Sequence, residues 1–299
     1  MPGLLPKTRQ LVATAWLSLL LAGCANHINE PEQDITLART DYSVRTNVVF
    51  SPPGWPQVLK ADLYRPELEH YSPAVLMVHG GGWERRSRQD MNWIAEHLAA
   101  RGFAVMNIDY RFAPEFRFPA QLHDLQIAIH WLRANAAELN IDPQRIGGFG
   151  FSSGAHLVSL LAVVAGQGGE LNEPHGGPET GLVAVVAGGL PSDLRNFGSG
   201  RLIRQFLGGT REEIPELYRA ASPAAHVTEQ TPPFFLFHGG MDMLVPSKQA
   251  TDFRALLASK GVENQLYIMR LRGHITSFLT SGNAVDEATA FLAWHLNPR

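Results

Sequence analysis

A strand, a glycine-flanked serine and a helix follow one another between residues 145 and 162, and this stretch most constrains the fold. A short β-like run ends at Phe149, Gly-Phe-Ser-Ser-Gly occupies 150–154, and an apolar helical run covers 155–162. Glycines two positions before and two after Ser152 let the strand and the helix approach each other in a sharp turn. The pattern therefore predicts a strained turn with the Ser152 hydroxyl clear of its own backbone, and the N–H group of Ser153 directed to the same point.

Apolar strand-like runs alternate with helical runs along most of the chain. Buried strands are predicted at 74–78, 103–108, 183–187 and 234–237, and a last strand at 265–269. Helical spacing of apolar residues occurs at 91–101, 119–139, 253–260 and 285–296. Strands that alternate with helices of this length form parallel sheets covered on both faces, so we predict an α/β fold with a mainly parallel central sheet. Ligands of such sheets bind beyond the carboxyl ends of the strands.

Residues before the predicted domain have the pattern of a targeting segment. Basic residues and a short apolar run precede Leu-Ala-Gly-Cys at 21–24, and Cys24 is the only cysteine of the chain. This pattern resembles a bacterial lipoprotein signal peptide over 1–23. The resemblance implies a lipid on Cys24 and a membrane-anchored protein of the bacterial cell envelope, with the outer membrane favoured. An ordinary signal peptide or an uncleaved anchor is the alternative. We expect a polar tether over 24–40 and the folded domain over 41–299.

A long mixed stretch, 191–233, interrupts the alternation of strands and helices. It follows a predicted strand and contains two short helical patterns. Long insertions after strand ends tend to cover the site and shape its pocket, so we predict a small cap here. A loop without function is the alternative.

A serine needs a base within hydrogen-bonding reach, and that base needs a carboxylate to orient it. Asp242 stands in a turn after the buried run 234–237, and His274 follows a glycine after the last predicted strand. The order of serine, acid and histidine is that of α/β-hydrolases. We predict Ser152, Asp242 and His274 as the catalytic residues, with Asp193 as the alternative acid.

A glycine-rich loop, His-Gly-Gly-Gly-Trp at 79–83, follows the first long apolar strand. Its glycines allow backbone N–H groups to approach a substrate without an obstructing Cβ. A phosphate-binding loop is the alternative, but no Lys-Ser/Thr follows and the spacing of a dinucleotide loop is absent. We therefore predict that Gly81 and Gly82 join Ser153 in an oxyanion hole.

With these motifs the sequence resembles the serine esterases and lipases that carry an HGGG loop, the hormone-sensitive-lipase-like and carboxylesterase-type α/β-hydrolases. Their Asp-Tyr-Arg-x-Ala-Pro-Glu stretch is matched at 109–115. The resemblance implies the α/β-hydrolase fold, the same catalytic residues and the same oxyanion donors. The serine motif departs from the common Gly-Asp-Ser-Ala-Gly-Gly, and little room precedes Val48 for a large N-terminal cap. Both departures favour the smaller-capped branch that includes acetyl- and feruloyl-esterase-like enzymes and arylformamidases.

The expected function is a serine carboxylesterase that hydrolyses small esters through an acyl-enzyme, without cofactor or metal. An amidase, peptidase or arylformamidase on the same residues is the alternative, and a non-catalytic binding lipoprotein is a rival of another class. A net charge of −3 without a basic run argues against nucleic acid as a partner. Nothing in the sequence specifies an oligomeric state.

Other polar and aromatic residues near the motifs have a structural interpretation. His156 is predicted to pack inside the helix after the serine, and Asp124 to have a structural role. Asp109 is expected to brace the glycine loop or the serine turn through hydrogen bonds, from outside the site. Trp83 and Phe151 flank the site, where they line an acyl pocket or belong to the core.

Overall fold

A nine-stranded sheet runs through the computed structural model, which describes residues 25–29, 35, 37–197 and 200–297. The strands are β1 (Ala25–Ile28), β2 (Tyr42–Val49), β3 (Lys60–Pro66), β4 (Ser72–Val78), β5 (Ala104–Ile108), β6 (Ile141–Phe151), β7 (Val185–Gly188), β8 (Phe234–Gly239) and β9 (Asn264–Met269). Their order across the sheet is β1-β9-β8-β7-β6-β4-β5-β3-β2. The six central strands pair in parallel, and β1, β2 and β3 pair antiparallel at the two edges.

Helices cover both faces of this sheet. They are α1 (Asn92–Ala99), α2 (Ala120–Ala134), α3 (Ala136–Leu139), α4 (Ser153–Val164), α5 (Arg201–Leu207), α6 (Pro215–Ala220), α7 (Lys248–Ser259), α8 (His274–Leu279) and α9 (Gly282–Leu296). Apolar residues of α2, α4 and α7 form one core with the sheet, and those of α1 and α9 form the other. Within the described ranges, no helix combines the length and the apolar composition that a membrane span requires. The predicted α/β architecture is confirmed.

Strand β4 shows why the centre of the sheet could be predicted. All seven of its residues are buried, and it pairs in parallel with β5 on one side and β6 on the other. A strand with neighbours on both sides and helices on both faces has no solvated side chain, so it appears as a continuous apolar run. The carboxyl ends of these parallel strands lie at one edge of the sheet, which we call the catalytic edge.

The long helix predicted over 119–139 is two helices in the structure. Helix α2 ends at Ala134, and α3 begins at Ala136. Between them, the side chain of Asn135 donates a hydrogen bond to the backbone oxygen of Trp131 at 2.7 Å. An asparagine that binds nearby backbone in this way competes with continued helix, which the apolar spacing alone does not reveal.

The first described residues form an edge strand inside the segment predicted as a tether, 24–40. Strand β1 pairs antiparallel with β9, and Ala25 lies opposite Met269. An edge strand is held mainly by backbone hydrogen bonds, so its short polar sequence carried little signal for a strand. Residues 1–23 and Cys24 lie outside the described residues, and with them the predicted signal peptide.

The stretch predicted as a small cap, 191–233, lies between β7 and β8. Its described part contains α5, α6 and short 3₁₀ turns at Leu194–Asn196 and Pro223–Ala225. Arg201 at the start of α5 forms two hydrogen bonds with the carboxylate of Glu84, at 2.8 and 2.9 Å. This ion pair joins the cap to the end of the glycine loop.

Asp124 has the structural role predicted for it. Its buried carboxylate accepts hydrogen bonds from the Trp55 indole at 2.9 Å and from the Arg111 backbone and guanidinium at 2.8 Å each. Burial raises the pKa of Asp124 to about 6, against the opposing effect of Arg111. The carboxylate thereby ties the stretch after β5 to α2.

Replacing Asp124 by asparagine should strongly destabilise the protein, because it leaves the buried Arg111 charge without a counter-ion. We expect the free energy of unfolding at pH 8, where Asp124 is ionised, to fall by about 3 kcal/mol or more. Urea unfolding measures it. The matched control is D252N, which removes the exposed ion pair with Lys248 and should cost no more than about 1 kcal/mol. Equal losses in the two variants would contradict the structural role of Asp124.

Candidate active site

Ser152 joins the end of β6 to the start of α4 in a strained conformation. Its backbone has φ 54° and ψ −120°, although it is not a glycine. Such angles cost energy and persist where the surroundings enforce them. Here the Ser152 N–H donates to the Gly188 oxygen at 2.7 Å, and the Ser152 oxygen accepts from the His156 N–H at 3.0 Å. The turn is therefore fixed on one side by β7 and on the other by α4.

The two glycines of the serine motif sit where no side chain fits. A Cβ on Gly150 would lie 2.4 Å from the Gly154 oxygen, and a Cβ on Gly154 would lie 2.1 Å from the Val78 oxygen. Both distances are far below van der Waals contact, and the atoms concerned belong to the backbone. This close approach of β6, α4 and β4 is the physical reason for the motif's spacing.

The structure brings Ser152, His274 and Asp242 together at the catalytic edge. His274, the first residue of α8, has its Nε2 atom 2.8 Å from the Ser152 hydroxyl oxygen. Its Nδ1 atom is 2.6 Å from Oδ2 of Asp242. With the ring proton on Nδ1, the imidazole donates to the carboxylate and offers a lone pair to the serine hydroxyl. This arrangement can remove a proton from Ser152.

Asp242 is held as an anion by three further contacts with its carboxylate. The N–H groups of Leu244 and Val245 donate to Oδ1 at 2.9 and 2.8 Å. The Nε2 atom of buried His238 lies 3.3 Å from Oδ2 and 2.8 Å from the Val245 oxygen. Burial opposes ionisation, but the hydrogen bonds from His238, His274 and the Val245 N–H outweigh it and lower the pKa of Asp242. Sequence reasoning missed His238; its position four residues before Asp242 at a strand end was the available signal.

The alternative acid, Asp193, lies in a different set of contacts. Its carboxylate accepts from the guanidinium of Arg195 at 2.7 and 2.8 Å and from the Arg195 backbone N–H at 3.1 Å. It caps the 3₁₀ turn Leu194–Asn196 in the cap. The structure thus places Asp242, and not Asp193, on His274.

The glycine loop passes beside the serine. A Cβ on Gly80 would lie 3.2 Å from the Ser152 Cβ, and a Cβ on Gly81 would lie 2.0 Å from the Arg85 oxygen. Gly81 and Gly82 have positive φ angles of 128° and 63°. Across the described ranges, the N–H groups of Gly81, Gly82 and Ser153 meet no protein acceptor. They are therefore available as donors to a bound group.

Tyr110 fixes the glycine loop to the serine turn, a role that sequence reasoning missed. Its hydroxyl donates to the His79 oxygen at 3.2 Å and lies 3.2 Å from the Ser153 hydroxyl. Its ring stacks on that of His79, with centroids 4.5 Å apart. Asp109 next to it forms an ion pair with Arg88 and lies 3.9 Å from the His79 ring. The Asp-Tyr pair of the 109–115 stretch was the available signal for this brace.

His156 packs in the interior, as predicted, and connects three parts of the site. Its Nδ1 atom accepts a hydrogen bond from the Trp83 indole at 3.2 Å. Its Nε2 atom, which must then carry the proton, donates to the Ala221 oxygen in the cap at 2.6 Å. The ring of Trp83 stacks on Phe206 of α5 at 4.6 Å. Trp83 is therefore a core residue beneath the cap.

Phe151 is buried against the base. Its ring centroid is 5.1 Å from that of His274 and 4.7 Å from that of Phe278. Leu202 of α5 lies over the glycine loop, 3.0 Å from where a Cβ on Gly82 would be. Phe151 and Leu202 thus provide apolar surface beside the reacting groups.

No group of three or more His, Cys, Asp or Glu residues in the described part of the chain is placed to hold a metal ion.

Comparison with known proteins places this chain in a family. The BD-FAE family model matches residues 61–257 of the 299. The chain belongs to the BD-FAE family. Two solved structures share the fold of this family member. A truncated carbohydrate esterase from gut microbiota has a TM-score of 0.77 and 26% identity over 87% of this chain and 98% of its own. An acetyl ester-xyloside bifunctional hydrolase from Caldicellulosiruptor lactoaceticus has a TM-score of 0.68 and 25% identity over 87% and 97%. The predicted α/β-hydrolase fold is confirmed.

Relatives of this BD-FAE member by sequence have names of ester hydrolases. Esterase LipC of Mycobacterium tuberculosis is 34% identical over 61% of this chain and 47% of its own length. Esterase LipQ of the same organism is 29% identical over 76% of this chain and 56% of its own length. The chain thus spans about half the length of these curated relatives.

The contacts of His156 predict a pH dependence of stability. Burial lowers the pKa of His156 to about 4, against the opposing effect of its hydrogen bond to Ala221. Below pH 6.5 the unfolded chain takes up a proton at this residue and the folded chain does not, so stability falls as the pH falls. At pH 5 this residue should contribute a loss of about 2 kcal/mol relative to pH 7 or above.

Urea unfolding of wild type and H156Q at pH 7 and pH 5 measures this contribution. H156Q should be less stable at pH 7, because it loses a buried hydrogen bond, but its stability should change less between the two pH values. H70Q removes a surface histidine and should keep the wild-type change. An unaltered change in H156Q would show that His156 does not stay neutral in the folded protein.

Proposed function

We propose that this protein is a serine carboxylesterase that hydrolyses small carboxylic esters through an acyl-enzyme intermediate. The observation that carries the proposal is the continuous hydrogen-bonded line from the Ser152 hydroxyl through His274 to Asp242. Three N–H groups without protein acceptors lie beside that line, in the glycine loop and at the start of α4. The ester-hydrolase names of the relatives support the same reaction.

In the proposed first step, His274 accepts the Ser152 proton on Nε2 as the serine oxygen attacks the ester carbonyl carbon. The carbonyl oxygen becomes an anion, and the N–H groups of Gly81, Gly82 and Ser153 stabilise it. Asp242 remains ionised and stabilises the imidazolium that forms. His274 then donates its proton to the leaving alcohol, and an acyl group remains on Ser152.

In the second step, water attacks the acyl-enzyme. His274 removes a proton from the water, the same donors stabilise the second oxyanion, and Ser152 leaves with the proton from His274. The pocket walls that the structure shows, Phe151 and Leu202, are apolar and close to the reacting atoms, which suits a short acyl group. The two structural neighbours are a carbohydrate esterase and an acetyl ester-xyloside bifunctional hydrolase, which agrees with an acetyl or short-chain ester substrate. An amidase, peptidase or arylformamidase has no comparable support among the relatives described above.

Replacing Ser152 by alanine should abolish ester hydrolysis, because it removes the attacking oxygen. We expect kcat for p-nitrophenyl acetate to fall by a factor on the order of 10⁵. Reaction of wild type with a fluorophosphonate probe should label one serine, and S152A should not react. Hydrolysis of the hexanoate ester and of the acetyl anilide, measured in parallel, should be slower than that of the acetate ester.

The matched control is S153A, which keeps the backbone N–H and removes a hydroxyl whose hydrogen-bond partner among the described residues is Tyr110. S153A should retain activity within about tenfold of wild type, since no step uses that hydroxyl. An S152A protein that turns over the ester at the wild-type rate would refute the mechanism. A binding protein without catalysis would leave the probe unreacted in wild type as well.

We also propose that the chain is exported, loses residues 1–23 and carries lipid on Cys24, which anchors it in the bacterial cell envelope, at the outer membrane. The Leu-Ala-Gly-Cys sequence at 21–24 and the absence of any other cysteine support this proposal. Several acyl chains, each contributing about 0.8 kcal/mol per buried CH₂, would hold the domain firmly.

Mass spectrometry of the chain purified from bacterial membranes tests the anchoring. The expected mass is that of residues 24–299 with lipid, and peptide mapping should place the lipid on Cys24. C24A should retain residues 1–23, because the modified side chain is missing. G23A keeps a small residue before the cysteine and should be processed as wild type. A mature chain without lipid would refute the anchoring and leave the esterase proposal intact.

A further inference from the structure

Large apolar side chains are exposed on the loops after β8 and β9 and on α8, the segments that supply the acid and the base. We call this set the apolar rim; its members are Met241, Met243, Leu244, Leu271, Ile275 and Leu279. Met243 is 95% exposed and Leu271 is 69% exposed. Single exposed apolar residues are ordinary, but a contiguous apolar patch marks an interaction surface.

The rim is one surface, because its two loops are bonded to each other. The Met241 N–H donates to the Arg272 oxygen at 2.9 Å, and the Gly240 N–H donates to the Met269 oxygen at 2.8 Å. The bond between Asp242 and His274 joins the same two loops from the inside. The rim residues therefore lie on neighbouring segments at the catalytic edge, the same segments that carry the acid and the base.

Two exposed arginines accompany the rim. Arg270 and Arg272 are both exposed. In the part of the chain that the structure describes, neither guanidinium lies within ion-pair distance of a carboxylate. Residues 264–285 contain no Asp or Glu at all. Exposed apolar side chains beside unpaired arginines match a surface of anionic lipid, whose headgroups attract the cations while the apolar groups insert below them.

Strand β1 brings the proposed anchor to the same place. Because β1 is antiparallel to β9, it begins where β9 ends, and Ala25 lies opposite Met269. Met269 directly precedes Arg270 and Leu271 of the patch. Cys24 is the residue before Ala25, one Cα–Cα step of about 3.8 Å along the chain. A lipid on Cys24 would therefore enter the membrane beside the rim.

We propose that the apolar rim and the two arginines form a docking surface for an anionic lipid membrane. The surface holds the domain with its catalytic edge towards the headgroups. The inference rests on the proposed lipid anchoring for its tether, whereas the docking contact is made by the rim itself. In this position the esterase site receives esters that reach it along the membrane surface.

The depth of the rim in a membrane can be measured directly. Lipidation occupies Cys24, so an introduced cysteine is a unique site for a fluorophore. M243C labels the rim, and K260C labels an exposed residue at the other end of β9. The mature lipidated protein is placed in phosphatidylglycerol/phosphatidylcholine vesicles that contain a quencher attached to the acyl chains. We expect strong quenching at position 243 and little at position 260, with less quenching at 243 in pure phosphatidylcholine.

Two further variants test the surface chemistry. In the M243C background, L271D should reduce quenching severalfold, because it places a negative charge in the rim. Y71D places the same negative charge at an exposed tyrosine just before β4, at the opposite edge of the sheet. It should leave the quenching unchanged. Hydrolysis of soluble p-nitrophenyl acetate should be unchanged in L271D and Y71D, since neither side chain contacts the reacting groups.

Equal quenching at 243 and 260 on a lipidated, active protein would overturn the docking proposal. A stable dimer that shields position 243 from both water-soluble and lipid quenchers would also overturn it and identify a second copy as the occupant. The proposals can fail separately, because mass spectrometry reports the anchor and ester hydrolysis reports the catalysis. If the mature chain carries no lipid, quenching at position 243 by added anionic vesicles would still support docking through the rim. Absence of quenching there would refute it.

Discussion

The close approach of three backbones around Ser152 is the constraint on which the rest of the site depends. Gly150 and Gly154 let β6, α4 and β4 come together at distances that exclude any Cβ. This contact forces the serine into a left-handed region of φ that it would not adopt alone. The energy of that strain is offset by the surrounding sheet and cores, and the result is a hydroxyl whose direction is set before a substrate arrives.

The remaining groups are positioned by elements that the same contact brings together. Tyr110 bonds the backbone of the glycine loop and lies against Ser153, while His156 on the first turns of α4 bonds both Trp83 and the cap. A displacement of α4 would therefore move the proposed oxyanion donors, the cap and the serine together. Asp242 and His274 come from the other half of the sheet, and their loops are bonded to each other.

Much of the fold and of the candidate site could be predicted, because each informative pattern lies within a short stretch of sequence. Strands such as β4 are continuous apolar runs, and Asp242 and His274 each lie within a few residues of a strand end. The parts that were missed depend on contacts between distant residues. His238 and Tyr110 act through partners that only the folded sheet brings near, and β1 is held by backbone bonds that leave no compositional pattern. The end of α2 at Asn135 depends on a single side-chain bond that competes with the helix.

The direction of the edge strand links catalysis to location. Parallel strands gather their carboxyl ends at one edge, so the loops after β6, β8 and β9 must supply the reacting groups there. A strand added in parallel to β9 would have begun at the far end of the sheet. Because β1 is antiparallel, the chain instead enters the domain at the catalytic edge, next to Arg270 and Leu271. The proposed anchor just before β1 and the proposed docking surface just after β9 would therefore act at one place, and a membrane that bound either of them would meet the other.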